Sequence, residues 1–183
     1  MDTLKKWDFR SGETSVATTI AIEWGEIIMP GIHSIKMPAG ENNTVSKAIA
    51  FSNTASANDL LLPLLAAVKE LQNKYGKWQM PWGEINRFQR ISNDMANKFD
   101  DSKPSYPVGF VSSAWGMLPS YSSRSFADTK KRYGINGNSF ICAVEFGKRI
   151  TAKSLLAGGE SGDLGSAHFF DQGRMYTQGQ FKE

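Results

Sequence analysis

Residues Asn138 to Lys182 read NSFICAVEFGKRITAKSLLAGGESGDLGSAHFFDQGRMYTQGQFK, and the changes of period inside this stretch decide the fold. From Ser139 to Phe146 the side chains alternate. Phe140, Cys142, Val144 and Phe146 fall on one face of an extended chain, and Ser139, Ala143 and Glu145 on the other. Such alternation marks a strand, because successive Cβ atoms leave opposite faces of the pleat. Gly147-Lys148 then supplies a tight turn, glycine taking the positive φ that a two-residue connection demands, so a β-hairpin is expected from about Ser139 to Leu156. A Gly-Glu-Ser-Gly-Asp loop follows. Ser166 is placed to cap a helix that carries His168, Phe169, Asp171 and Gln172 in its first turns and ends before Gly179. An acid such as Asp171 is favoured near the positive end of that helix.

Outward from this stretch, the first half reads as helical. Val16, Ile20, Trp24 and Ile27 lie at helical spacing between Ser15 as N-cap and Pro30-Gly31 as a stop. Gly31 to Ser56, rich in Gly, Pro, Asn and Ser, reads as a loop. Asn58 or Asp59 then caps a helix whose apolar face is Leu61, Leu64, Leu65, Val68, Leu71 and Tyr75, with Gly76 as its left-handed C-terminal residue. From Gly76 to Asn138, Pro104, Pro107, Gly109, Gly116 and Pro119 argue against regular elements of any length, and Gly134-x-x-Gly137 reads as a turn. The expected class is α+β. Residues 1–137 form helices and long loops, and residues 138–183 a hairpin with a closing loop-helix motif.

Composition adds exclusions. With 183 residues, 40% of them apolar, the chain suits one core, within one domain or part of a larger one. The net charge of +3 is dispersed, and no basic run exceeds Lys130-Lys131-Arg132, so a phosphate-tracking nucleic-acid surface is not indicated. No stretch has the continuous apolar length of a membrane span. The single cysteine, Cys142, excludes an internal disulfide, and its apolar neighbours predict a buried, inert thiol. The Asn42-Asn43-Thr44 sequon reads as a chance match.

Chemistry is sparse. His33 and His168 are far apart and belong to no zinc-ligand pattern, and the aspartates do not follow calcium-loop spacing, so no metal or cofactor is implied. A triad of Ser161 or Ser166 with His168 and Asp171 fails on sequence grounds. The second glycine of a Gly-x-Ser-x-Gly elbow is replaced by Asp163, and triad partners normally come from separate elements. The reading preferred here has His168, Asp171 and Gln172 tying the loop Gly158 to Gly165 down by hydrogen bonds. Trp24, Trp78, Trp82 and Trp115 serve packing before any pocket-lining role.

Two motifs carry a family resemblance. Gly159-Glu160-Ser161-Gly162-Asp163 and Ser166-x-His168-Phe169-x-Asp171-Gln172, followed by Tyr176 and Gly179, resemble the carboxyl-terminal end of the large chain in the penicillin acylase family of N-terminal-nucleophile hydrolases, which includes acyl-homoserine-lactone acylases. WQMPWGEINR, from Trp78 to Arg87 and containing Trp82, Gly83 and Glu84, is similar to that family's tryptophan, glycine and acidic segment. The resemblance implies a piece of an αββα sandwich whose hairpin belongs to a larger sheet, and a parent that hydrolyses acylated amines in the periplasm or outside the cell. It implies, too, that the nucleophile, whose own amine is its base, lies outside these residues, which begin Met1-Asp2-Thr3, and that the chain by itself is inactive. Its partners would be the small chain, the upstream large chain and an acylated-amine substrate. A binding or scaffold domain without catalytic partner is the other reading. Two strands alone are marginally stable, so the hairpin should expose an edge and an apolar face around Phe140, Val144 and Phe146, prone to pair with a second copy.

Overall fold

The computed structural model describes residues 2–94 and 98–182. It is mixed α+β, with helices first, then two small sheets and a short last helix. The chain divides into two compact units, residues 1–9 with 16–80 and residues 10–15 with 81–183.

The first unit is helical: α1 (Asp2–Lys5), α2 (Val16–Ser34), α3 (Thr44–Thr54) and α4 (Ala57–Tyr75). α2 packs on α4 and α3, and the Trp24 indole Nε1 donates to Leu60 O at 2.9 Å. α2 runs through Pro30 and Gly31, where a stop is expected. Its last turn buries Ile32, which offsets the amide that proline lacks, and Gly31 leaves room for the Phe51 ring of α3. α3 itself replaces the loop expected from Gly31 to Ser56. Its N-cap is Asn43, whose Oδ1 accepts from Ser46 N at 2.9 Å, so this residue of the sequon serves as a helix cap. α4 begins at Ala57, ahead of the expected caps Asn58 and Asp59. Ser56 caps it through a reciprocal capping box with Asp59, and Gly76 closes it at φ 77°.

The second unit contains α5 (Trp82–Ile85), β1 (Asn86–Phe88), β2 (Tyr106–Pro107), a 3-10 turn at Ser113–Trp115, β3 (Tyr121–Ser125) and β4 (Arg132–Gly137). The four strands form a sheet of order β2-β1-β4-β3, with β1 and β4 parallel and the other pairs antiparallel. This sheet overturns the expectation of irregular chain from Gly76 to Asn138. Its strands are too short and too rich in Ser and Gly to show a period of two, and they are held by aromatic packing from outside. Gly134, expected in a turn, lies inside β4, where a Cβ would come within 2.5 Å of Tyr121 Oη. Only glycine lets the Tyr121 ring cross the strand and donate to Arg87 O at 2.7 Å.

β5 (Phe140–Glu145) and β6 (Thr151–Leu156) form the expected hairpin, in register from Phe140↔Leu156 to Glu145↔Thr151. Their connection is the five residues 146–150, not a two-residue Gly147-Lys148 turn. The final helix, α6 (Gly173–Gln178), starts seven residues after Ser166, with Gln172 at its N-cap position and Gly179 at φ 63° closing it. Here Ser166 N and Gln172 N donate to Asp163 O and Gly158 O of the preceding loop, and His168 N and Phe169 N turn back onto Ser166, so no helix begins at Ser166.

The core of this unit is Val108, Tyr121, Leu155 and Tyr176, with Phe88, Phe110 and Ile141 packed against it. Phe88 meets Tyr121, Phe170 and Tyr176 at centroid distances of 6.1, 5.1 and 5.3 Å. Only one face of the hairpin reaches this core, through Ile141 and Leu155. Cys142, on the other face, is exposed and not buried, because among the described residues no layer covers that side. No helix among the described residues is long and apolar enough to cross a membrane.

Candidate functional site

The two sequence motifs meet in the second unit. Trp82 is buried by the turn it opens: its amide donates to Ser15 O at 3.1 Å and its Nε1 to Phe110 O at 3.1 Å, with the Arg132 guanidinium 5.8 Å from the ring centroid. Gly83 donates to Glu13 O at 2.7 Å, and a Cβ there would sit 2.7 Å from Glu13 Cβ and 2.9 Å from Pro107 Cβ. Glu84 is exposed. Asn86, fully buried, donates through Nδ2 to Val108 O and Phe110 O at 2.9 and 3.0 Å. The Arg87 guanidinium bonds Gly83 O at 2.8 Å, Ser105 Oγ at 3.0 Å and Ser105 O.

The second motif is a closed loop from Gly158 to Gln172. Its ends are joined by Gln172 N donating to Gly158 O at 2.7 Å, and its middle by Ser161 N donating to His168 O at 3.1 Å. The serine hydroxyls accept local amides: Asp163 N reaches Ser161 Oγ at 3.0 Å and His168 N reaches Ser166 Oγ at 3.1 Å. Gly165 N bonds Asp163 Oδ1 at 2.9 Å, closing the turn after Gly162. His168 Nδ1 lies 2.8 Å from Asp171 Oδ2. Gln172 spans two elements, its Oε1 accepting from Leu156 N at 3.2 Å and its Nε2 donating to Glu160 Oε1 at 3.0 Å, while Lys182 Nζ reaches the same oxygen at 2.6 Å.

These contacts set the electrostatics. The hydrogen bond that its Nδ1 donates to Asp171, then the Asp171 charge, raises the His168 imidazole above its ordinary range. The same bond holds the Asp171 carboxyl low, and Lys182 does so for Glu160. Burial pushes the Tyr121 phenol well up and the Tyr176 phenol to about 12, so both stay neutral. Among the described residues no hydrogen bond joins Ser161 or Ser166 Oγ to the His168 ring, and the imidazole side chain is 71% exposed. A serine activated by its own base needs that bond. No group of three or more His, Cys, Asp or Glu among the described residues could hold a metal ion.

What joins the motifs was not singled out from sequence. Arg90, two residues past β1, donates to Phe169 O and lies 4.0 Å from the Phe169 ring centroid, while Phe88 packs on Phe170. The alternation Phe88-x-Arg90, continuing Asn86, carried the signal in the sequence. Gln89, on the opposite face and buried, holds the return of the chain through Asp100 O at 2.8 Å and Asp100 N at 2.9 Å. A family model described as penicillin amidase matches residues 1–183.

Proposed function

We propose, starting from a chain that belongs to the penicillin amidase family, that these residues are part of an amide hydrolase acting on an acylated amine, of the penicillin or acyl-homoserine-lactone type, with the nucleophile supplied by residues beyond these 183. The family makes amide hydrolysis the coarse activity. The observation carrying the finer reading is the loop Gly158 to Gln172, where both candidate serine hydroxyls are engaged by loop amides and the only nearby histidine faces Asp171 and solvent. Ser161, Gly162, Ser166, His168, Asp171 and Gln172 then hold a loop in shape, and Trp82, Gly83 and Glu84 form a buried turn with an exposed acid. In the parent they would serve as wall and sheet elements of an αββα sandwich, exported to the periplasm or beyond.

The test is hydrolysis of a panel of chromogenic acyl-anilides, a penicillin and acyl-homoserine lactones. It compares the 183-residue chain, its Ser161→Ala variant and a longer polypeptide that contains the chain and a processed amino-terminal Ser, Thr or Cys. Turnover is expected from the longer polypeptide alone. Turnover by the 183-residue chain that vanishes in Ser161→Ala would overturn the reading and place a serine nucleophile in the loop. An inactive longer polypeptide would favour a scaffold.

A further inference from the structure

Two donors converge on one methionine sulfur. Ser11 Oγ donates to Met117 Sδ at 3.1 Å and Val111 N donates to it at 3.2 Å, and all three residues belong to the second unit. A thioether is a weak acceptor with two lone pairs, and here there is a donor for each. The donors differ in freedom. Val111 is 6% exposed, and its peptide is pinned because its carbonyl accepts from Tyr121 N at 2.9 Å. Ser11 is half-buried, and its hydroxyl turns about a single bond. The sulfur therefore ties together two pieces of chain. One is the loop from Val111 to Tyr121. The other is the strap of residues 10–15, which accepts Gly83 N at Glu13 O and Trp82 N at Ser15 O, at 2.7 and 3.1 Å.

We propose that Met117 is a site of reversible oxidation by hydrogen peroxide, approached from the Ser11 side, and that the sulfoxide releases strap and loop together. A sulfur lone pair attacks one peroxide oxygen, and the S–O bond forms as the O–O bond breaks. The departing hydroxide takes the proton of the transferred hydroxyl and leaves as water, so sulfur is oxidised by two electrons and the peroxide is reduced by two. The new oxygen must lie between the sulfur and one of its donors. Toward Val111 that line is closed by pinned backbone. Toward Ser11 it opens when the hydroxyl rotates. One lone pair reacts, and one sulfoxide epimer forms. The oxygen then displaces Ser11, and the oxidised sulfur, carrying positive partial charge, no longer accepts from Val111 N. A buried amide is left without its partner, a cost larger than the net worth of the bond itself. Each sulfoxide epimer has its own reductase, which makes the change reversible.

The epimer is what separates this mechanism from simple surface oxidation. The longer polypeptide that contains the chain is the material to use, since every neighbour of Met117 is then in place, and no catalytic activity is needed. It is treated with hydrogen peroxide, then with either of the two epimer-specific methionine sulfoxide reductases, and Met117 is followed by peptide mass spectrometry. In the folded protein one reductase should restore Met117 almost completely and the other leave it oxidised, whereas after oxidation in urea each should restore about half. Ser11→Ala should speed oxidation roughly threefold, the weight of one weak hydrogen bond, and yield the same epimer. Amide exchange at Val111 and Gly83 should rise on oxidation and fall back on reduction. Met117→Leu, close in volume but without the sulfur, should show raised exchange at Val111 that peroxide does not change. A folded protein in which Met117 resists peroxide or gives both epimers equally would overturn the proposal. So would a Ser11→Ala variant oxidised no faster than the wild type, or exchange at Val111 that oxidation leaves unmoved.

Discussion

The stretches Trp82 to Arg87 and Gly158 to Gln172 lie against each other through Phe88 and Arg90, yet they are held by opposite means. The first is buried: Trp82, Gly83, Ile85 and Asn86 are all shielded, and the side chains that fix it bond to backbone carbonyls. The second is mostly exposed, and two of its closures, His168 with Asp171 and Glu160 with Lys182, are charged side-chain pairs in solvent. Buried packing is steep in volume and indifferent to pH. Exposed charged closures are individually weak and follow the titration of their members. Each difference gives a way to break one stretch without the other.

The largest effect is expected at Trp82. Trp82→Ala removes a ring only 2% exposed and leaves Phe110 O without its indole donor, a loss of about 3–5 kcal/mol for a large core aromatic. Urea unfolding followed by circular dichroism should show the midpoint collapse, with no recovery between pH 5 and 8. A loss below 1 kcal/mol would mean that the turn is not the buried anchor described here. Gly159→Ala comes next. Its Cβ would lie 2.1 Å from His168 O and 2.6 Å from Asp171 Oδ1, and backbone cannot swing aside as a side-chain tip can. The expected cost is near the upper end of the ~1–3 kcal/mol of overpacking. It should be concentrated in the loop, so amide exchange from Gly158 to Gln172 should rise more than that of β1.

How far the sequence reveals these stretches depends on where their order comes from. α4 is legible because its apolar spacing and Gly76 are local signals: the helix and its Gly76 cap are realised, although of the expected apolar face Leu71 is buried while Leu61 and Leu65 are exposed. α3 escapes a reading that weighs Gly, Pro and Asn as a composition; its cap, Asn43, sits inside a motif that reads as a sequon. The sheet β1 to β4 leaves no period of two. β1 and β2 are three and two residues long and are held by Gln89, Arg87 and Tyr121, which bond carbonyls 11 to 34 positions away. For the site, sequence names the members of both motifs but not their junction. Arg90 looks like any surface arginine until the fold places Phe169 beneath it.

That junction is the third prediction. Arg90→Met keeps the apolar stem but removes the donor to Phe169 O and the cation over the ring, and should cost about 1–2 kcal/mol at this half-buried position. A double-mutant cycle with Phe169→Leu sharpens it. Coupling above roughly 0.5 kcal/mol would show that the loop is held to β1 by this contact, as expected for touching residues. Additive effects would show that it is held by Phe88 and Phe170 instead.

The smallest effect is the one specific to the exposed stretch. His168 is raised by its bond to Asp171, so its contribution is present below about pH 6.5, its ordinary value, and is lost as pH rises through the raised one. Asp171 is lowered by the same bond, so its contribution is present above about pH 3.8 and is lost as pH falls through the lowered value. Both members are charged between these limits, so the loop should be tightest at about pH 4 to 6.5 and loosen toward pH 8. Amide exchange, corrected for its intrinsic pH dependence, should show protection of Ser161 N, which bonds His168 O, falling across that upper range while Trp82 N, bonded to Ser15 O, does not change. His168→Gln should flatten the profile without moving the Trp82 amide. A profile that stays sloped in His168→Gln would take the pH response away from the imidazole, and a flat wild-type profile would mean that solvent screens the pair completely.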